Sequence, residues 1–357
     1  MTSYLLAGGG TAGHVNPLLA LADYIKSVSP DDQILTLGTK EGLESDLVPA
    51  RGYEIEFVEK LPFPRKPNSY ALKFPFRFAR AVATARRVIR AHKIDIVVGF
   101  GGYASAPAYV AAKLEKAKIV VHEANALPGI ANRLGANFAD AVGSAFPNSS
   151  LKHAIHVGMP LRTEIEQVAK KRDSKFARAH FGLEEDTFTL LVTGGSLGAK
   201  RINDAIESSR DLLLAAGVQV LHIVGGKSEL APLKQKGYLR ISYCDRMDLA
   251  MAAADFAVSR AGAATVSELT AIGIPALYLP YSVGNGEQAH NLESLIQSGG
   301  GVKIDDIAFD RTYVASELVP LLSSAKKLAT MAKAARANGI LDGTKRLYQL
   351  VLGVLSK

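Results

Sequence analysis

The chain is 357 residues long, too long for one small core and long enough for two α/β domains of ordinary size. Its 48% hydrophobic and 21% charged residues, with 32 glycines, exclude a disordered or fibrous chain, and its single cysteine, Cys244, excludes an internal disulfide or a cysteine-built zinc site. No run approaches the roughly 18 apolar residues of a spanning helix, and the formal charge of +8 points to anionic partners without choosing among nucleic acid, anionic lipid and phosphorylated substrates.

The opening MTSYLLAGGG has too short an apolar run and no basic lead for a signal peptide, so Tyr4 to Ala7 is expected as a buried strand. A helix is predicted from Pro17 to about Ser27 and a strand near Ile34 to Leu37. The stretch from Lys60 to Lys93 then carries Lys60, Arg65, Lys66, Lys73, Arg77, Arg80, Arg86, Arg87, Arg90 and Lys93 with no acidic residue. A strand is predicted at Ile94 to Val98; after Asp140, Ala141 to Ala145 and a transition through HVGMPLR lead to a charged helix around Glu164 to His180. A fresh pattern follows: strand Thr189 to Thr193, helix Ala199 to Leu214, strands Val218 to Val224 and Phe256 to Ser259, and terminal helices Ala325 to Ala337 and Thr344 to Leu355. Such alternation predicts an α/β protein with parallel sheets covered by helices. The domains are expected at residues 1–161 and 162–339, with 340–357 packing back on the first.

Gly8-Gly9-Gly10-Thr11-Ala12-Gly13-His14 joins a strand to a helix. Glycines at such a turn let a ligand approach the backbone, and the helix start favours negative charge. An unliganded turn and a dinucleotide site compete with this view. The second is disfavoured because the next strand ends in Leu37-Gly38-Thr39-Lys40-Glu41, which sets no clean acid for a ribose. His14 is either a neutral base for an attacking hydroxyl or a histidine bonded within the turn.

Thr193-Gly194-Gly195-Ser196-Leu197-Gly198-Ala199 offers a second phosphate-suited helix start, and open α/β sheets bind ligands beyond the carboxyl ends of their strands. The strongest local signal runs from Ser259 to Leu269. Its small residues admit a diphosphate to a helix end, Thr265 and Ser267 offer hydroxyls, and Glu268 can accept both hydroxyls of a ribose. The plainer role for Glu268 is to complement the helix dipole. Beyond Gly284-Asn285-Gly286, Gln288 and Asn291 either bind sugar hydroxyls or are ordinary helix-start amides.

Taken together, GGGTAGHVNPLLALA, GGYASAPAYVAA, HEANALPGIANRL, GMPLR, TGGSLGA and SRAGAATVSELTAIGIPALYLP leading to EQAHN make nearly the whole chain resemble the MurG family of bacterial cell-wall transferases. The resemblance implies the GT-B fold, two Rossmann-like domains facing a cleft, with the acceptor and membrane on the first domain and UDP-GlcNAc on the second. It implies inverting transfer of GlcNAc to lipid I, giving lipid II, with no cofactor or metal required. It implies substrate contacts from Thr11, Ala12, Gly13, Asn125, Arg162, Ser196, the backbone at Cys244, Ala263, Ala264, Thr265, Val266, Ser267, Glu268 and Gln288. His14 would be the catalytic base with Glu123 its rival, and Tyr103, Glu123 and Asn125 would line the acceptor side. Two positions depart from the family pattern: Ala12-Gly13 stands for a glycine pair, and His122-Glu123-Ala124-Asn125 lacks the usual glutamine.

A polyprenyl-anchored acceptor would give the basic aromatic stretch a purpose. Phe63, Phe74, Phe76 and Phe78 with the surrounding cations would sit on anionic phospholipid at the cytoplasmic face of the bacterial plasma membrane, each cation adding about 1 kcal/mol. A helix with its apolar side in the core is the plainer alternative, and nucleic acid is not expected as a partner because no RNA-binding motif accompanies the charge. A UDP-GlcNAc 2-epimerase and a non-enzymatic UDP-sugar sensor are the rival functions.

Overall fold

Strand residues in the first half alternate between two buried faces of one parallel sheet. The computed structural model describes residues 1–64, 66–281 and 286–356, so Arg65, Gly284 and Asn285 of the motifs above lie outside the described residues. Contacts divide the chain into two units, Met1–Arg162 with Asp342–Lys357, and Thr163–Leu341.

In unit 1, β1 (Ser3–Ala7), β2 (Gln33–Gly38), β3 (Glu54–Phe57), β4 (Ile96–Gly99), β5 (Lys118–Glu123), β6 (Ala141–Ser144) and β7 (Ala154–His156) lie in the order β3-β2-β1-β4-β5-β6-β7. Every pair is parallel. Leu5, Ala7 and Val97 pack with Ala81, Val82, Ala85, Val88 and Ile89 of the helix Ser69–Ala91. The alternate residues Tyr4, Leu6, Ile96 and Val98 pack with Leu18, Leu21 and Ile25 of the helix Ala12–Val28 and with Leu347 and Val351 of the helix Gly343–Leu355. Each large side chain so buried contributes about 1.5–3 kcal/mol. Winding reverses at β1, so the loops after β1 and β4 stand at the switch point where α/β sheets bind ligands.

Unit 2 has β8 (Thr189–Thr193), β9 (Gln219–Ile223), β10 (Leu233–Gln235), β11 (Tyr238–Ile241), β12 (Phe256–Ser259), β13 (Ala276–Tyr278) and β14 (Gly301–Lys303), ordered β10-β11-β9-β8-β12-β13-β14. Only the β10–β11 pair at the edge is antiparallel among the described strands. The switch point here falls between β8 and β12.

Several boundaries differ from the sequence expectation for local reasons. The first helix begins at Ala12, not Pro17, with Pro17 inside it, so Ala12, Gly13 and His14 form its first turn. The charged helix is broken into Thr163–Lys170 and Ser174–His180, because Asp173 caps a new start by accepting the Phe176 N–H at 3.0 Å. Ser209 breaks the expected Ala199 to Leu214 helix by donating its hydroxyl back to the Ala205 carbonyl at 2.7 Å.

Candidate active site

The side chain of Thr11 makes no cap to the helix Ala12–Val28, and the His14 N–H is met by the Thr11 carbonyl at 3.0 Å. His14 lies in that first turn with Nδ1 3.0 Å from the Gly9 carbonyl oxygen and 3.4 Å from Thr11 Oγ1. A carbonyl only accepts, so Nδ1 carries the proton and Nε2 keeps its lone pair. Burial pulls the pKa of the ring below the ordinary histidine value. The neighbouring wall is the loop after β4: Gly101 and Gly102 have φ of +92° and +83°, and a Cβ on Gly102 would stand 2.3 Å from the Gly9 carbonyl oxygen. Tyr103 follows, its ring beneath Lys60 Nζ at 5.6 Å from the centroid.

Sequence reasoning missed the side chain that braces this loop. Glu44 is 1% exposed; its Oε2 accepts the Gly10 N–H at 2.7 Å and its Oε1 accepts the Thr39 N–H and hydroxyl, each at 2.8 Å. Gly9, Gly38 and Gly42 make the room, since a Cβ on any of them would lie within 2.4 Å of a Glu44 side-chain atom. The signal was present: Gly38 and Gly42 stand just ahead of this acid, past the strand end where an acid for a ribose was sought.

Glu123 is buried, and both of its oxygens are engaged. Oε1 accepts the Asn125 N–H at 2.8 Å, while Oε2 accepts the Gly129 N–H at 3.1 Å and Asn132 Nδ2 at 2.9 Å. Burial raises its pKa, and the bonds from Asn125, Asn132 and Gly129 oppose that. The geometry is that of a carboxylate holding the turn after β5. Asn125 is half-buried in that turn, and Arg162 is half-buried at the end of Met1–Arg162.

Unit 2 holds a cavity of about 1080 Å³ at its switch point. Ser196, Thr265 and Gln288 of the expected residues line it, together with Arg201, Arg260, Asp306 and Arg311, to which no role was given. Two helix starts open here, after Ala199 and Gly262, neither capped by a side chain. Arg260 donates to Asp306 Oδ1 at 2.6 Å and to the Leu279 carbonyl at 3.1 Å. Gln288 spends its Oε1 on the Ala261 and Tyr281 N–H groups at 3.2 and 2.9 Å, and buried Asn291 donates to the Ala261 carbonyl at 3.3 Å. Those amides therefore hold the turn after β12. Ala263, Ala264, Val266, Ser267 and Glu268 continue from it in the first turns of the helix Ala263–Ile272, with Glu268 buried. Cys244 is buried too, and burial pushes its thiol up to about 11. Among the described residues, no cluster of three or more His, Cys, Asp or Glu could hold a metal.

The basic stretch is less naked than its sequence. Acids from outside it take four of its arginines: Glu59 pairs with Arg77 and Arg80, and Glu115 with Arg86 and Arg90. Phe74 and Phe78 turn inward and stack 5.8 Å apart, Phe63 packs on Phe74, and only Phe76 of the four projects, 80% exposed beside Leu72 at 78%. No described helix is long and apolar enough to cross a membrane.

Residues 4–144 match the glycosyltransferase family 28 N-terminal domain, and residues 189–347 match the family 28 C-terminal domain. The chain belongs to glycosyltransferase family 28. Among family 28 relatives, a Leifsonia xyli subsp. xyli protein named UDP-N-acetylglucosamine--N-acetylmuramyl-(pentapeptide) pyrophosphoryl-undecaprenol N-acetylglucosamine transferase is 52% identical, covering 100% of this chain and 99% of its own. The protein of the same name in Mycolicibacterium smegmatis is 45% identical, over 99% and 94%. In fold, this family 28 chain is similar to Acinetobacter baumannii MurG (TM-score 0.78, 24% identity, 99% and 100% covered) and to the calicheamicin glycosyltransferase CalG4 (0.69, 14%, 100% and 99%).

Proposed function

We propose that this family 28 glycosyltransferase moves N-acetylglucosamine from UDP-GlcNAc to the MurNAc 4-hydroxyl of undecaprenyl-diphosphate-linked MurNAc-pentapeptide, lipid I, making the β-1,4 bond of lipid II for peptidoglycan. The observation that carries this reading is 52% identity, end to end, with a protein named for that transfer. In the reaction the acceptor hydroxyl attacks the anomeric carbon from the face opposite UDP, its proton passes to a base, and the anomeric C–O electron pair leaves with the diphosphate. Configuration inverts.

His14 is the base in this reading, because its Nε2 keeps a lone pair and the ring stays neutral at physiological pH, whereas both oxygens of Glu123 are already engaged. Unit 2 takes the donor: Ser196, Thr265, Gln288 and the uncapped helix starts suit a diphosphate, and Glu268 suits the ribose. The remaining donor contacts, at Ala263, Ala264, Val266, Ser267, the Cys244 backbone, Arg162, Asn125 and the Thr11-Ala12-Gly13 turn, rest on the family resemblance, as does the acceptor role of Tyr103. Leu72 and Phe76, with Lys66 and Lys73, support peripheral docking on anionic phospholipid at the cytoplasmic face of the plasma membrane.

A transfer assay with UDP-GlcNAc and a lipid I analogue tests the reading. GlcNAc should appear on the acceptor and stay unchanged when the acceptor is withheld. Formation of the manno isomer from UDP-GlcNAc alone would establish an epimerase instead, and tight UDP binding without transfer would establish a sensor. His14→Ala should cut turnover by about 100-fold or more while leaving UDP affinity near wild type.

A further inference from the structure

Two hydrogen bonds described above meet on one peptide group. His14 Nδ1 donates to the Gly9 carbonyl at 3.0 Å, and the Gly10 N–H donates to Glu44 Oε2 at 2.7 Å. The Gly9 carbonyl and the Gly10 N–H are the two ends of the amide that joins these residues. The order of groups is imidazole, amide, carboxylate. We infer that Glu44 is a positioning residue for the transfer, acting on the His14 imidazole through the single peptide group between Gly9 and Gly10; the inference rests on the assignment of His14 as the base.

Each part of the relay is held by its neighbours. Among the described residues Glu44 accepts from the Gly10 N–H, the Thr39 N–H and the Thr39 hydroxyl, which suits the anion and fixes its direction. A side chain at Gly9, Gly38 or Gly42 would evict it. Gly10, at φ +90°, takes a backbone conformation that side-chain-bearing residues rarely adopt, and there it turns its N–H onto the acid. An amide pulled at its N–H by an anion becomes a better acceptor at its oxygen, because hydrogen bonds in series polarise one another. The Gly9 oxygen therefore holds the Nδ1 proton more firmly, which locks the tautomer and makes Nε2 more basic. When Nε2 takes the acceptor proton, the resulting imidazolium is stabilised by the carboxylate across the amide.

The surroundings leave Glu44 as the charge that matters to this ring. Burial lowers the His14 pKa, and the Gly9 bond and the Glu44 charge both raise it. The other close groups are Thr11 on its own turn, the Gly101 backbone after β4, and Asn132 of the helix Ile130–Ala136 behind Gly101, none of them charged. Without Glu44 the loop would present a weaker base.

The test is the pH profile of kcat for the full-length Glu44→Gln variant, read beside His14→Ala, together with 15N NMR of the histidine rings in the unmodified protein. In the unmodified protein at pH 7, His14 should carry its proton on Nδ1 with Nε2 bare. Glu44→Gln should lower the plateau kcat by about ten-fold or more, by comparison with the loss of the group behind a metal-bound imidazole, with KM for UDP-GlcNAc near wild type. Its acid limb should move to lower pH, because removing the anion drops the His14 pKa. A rate loss equal at every pH, with the limb in place, would reduce Glu44 to a brace for the loop. An Nε2-protonated ring in the unmodified protein would overturn the relay even if the variant did not fold. Wild-type turnover by His14→Ala would instead defeat the base assignment, and the NMR result would still decide the relay.

Discussion

Asn132 Nδ2 donates to Glu123 Oε2 at 2.9 Å with both residues buried. The Asn132 Oδ1 in turn accepts the Tyr109 hydroxyl at 2.7 Å, and the backbone N–H groups of Asn125 and Gly129 also donate to Glu123. Removing the carboxylate takes the acceptor from the part-buried N–H groups of Asn125 and Gly129 and leaves buried Asn132 Nδ2 only the His122 carbonyl at 3.1 Å, at a cost of up to about 1–3 kcal/mol for a donor left unmet. Glu123→Ala should therefore lose about 1–3 kcal/mol in urea denaturation, so its activity loss follows its stability. If Glu123→Gln were as stable as wild type and about 1000-fold slower, Glu123 would be the base after all.

Glu268 is proposed to grip the ribose diol, and the ligand itself can report that. A charge-assisted bond of this kind is worth about 1.5–3 kcal/mol, so Glu268→Ala should bind UDP about 10- to 100-fold more weakly by calorimetry. The wild-type protein should also prefer UDP to 2′-deoxy-UDP, and the variant should not. Equal preference in both proteins would place the carboxylate away from the sugar.

Leu72 and Phe76 are 78% and 80% exposed, so replacing them leaves the fold intact. The Leu72→Ser, Phe76→Ser double variant should melt with wild type yet lose most of its co-sedimentation with vesicles containing anionic lipid, at about 1.5–3 kcal/mol per lost side chain. Arg77→Gln should do little by comparison, because Arg77 is committed to Glu59. Equal vesicle binding by the double variant would move the docking face elsewhere.

Two buried histidines set an acid limit on stability. Burial holds His122 at about 4 and His222 at about 3, the latter with help from Arg240. Both folded values lie below the unfolded 6.5 or so, so the unfolded chain takes up protons that the folded chain refuses. Stability is then complete above pH 6.5 and falls as pH drops toward 4. Between pH 7 and 5.5, where carboxylates stay ionised, the urea midpoint should fall by the equivalent of about 2 kcal/mol. A flat midpoint over that interval would mean that neither ring is kept neutral.

The α/β layering was legible because its signal is local: apolar strands such as Ile96–Gly99, buried on both faces, and glycines at strand ends. His14, Ser196, Thr265 and Gln288 were legible for the same reason, each lying in or beside a strand-to-helix turn. What escaped were partnerships across the sequence. Nothing near His14 announces that Glu44 lies behind its loop, and nothing within Lys60 to Lys93 announces that Glu59 and Glu115 draw in four arginines. Pro17 misled because a proline tolerated inside a helix looks like a first residue.

The two glycine loops lean in opposite directions. In unit 1 the loop after β1 rests on the loop after β4, its neighbour across the switch point, backbone against backbone at Gly9 and Gly102. In unit 2 the loop after β8 rests instead on the loop after β9, where a Cβ on Gly198 would meet the Val224 carbonyl oxygen at 2.2 Å, and the β12 side stays open as the cavity. One architecture thus occurs once as a stopper and once as a socket. Redesign of ligand preference has its freedom around Ser196 and Thr265, whereas Gly9 and Gly102 have no room for a side chain.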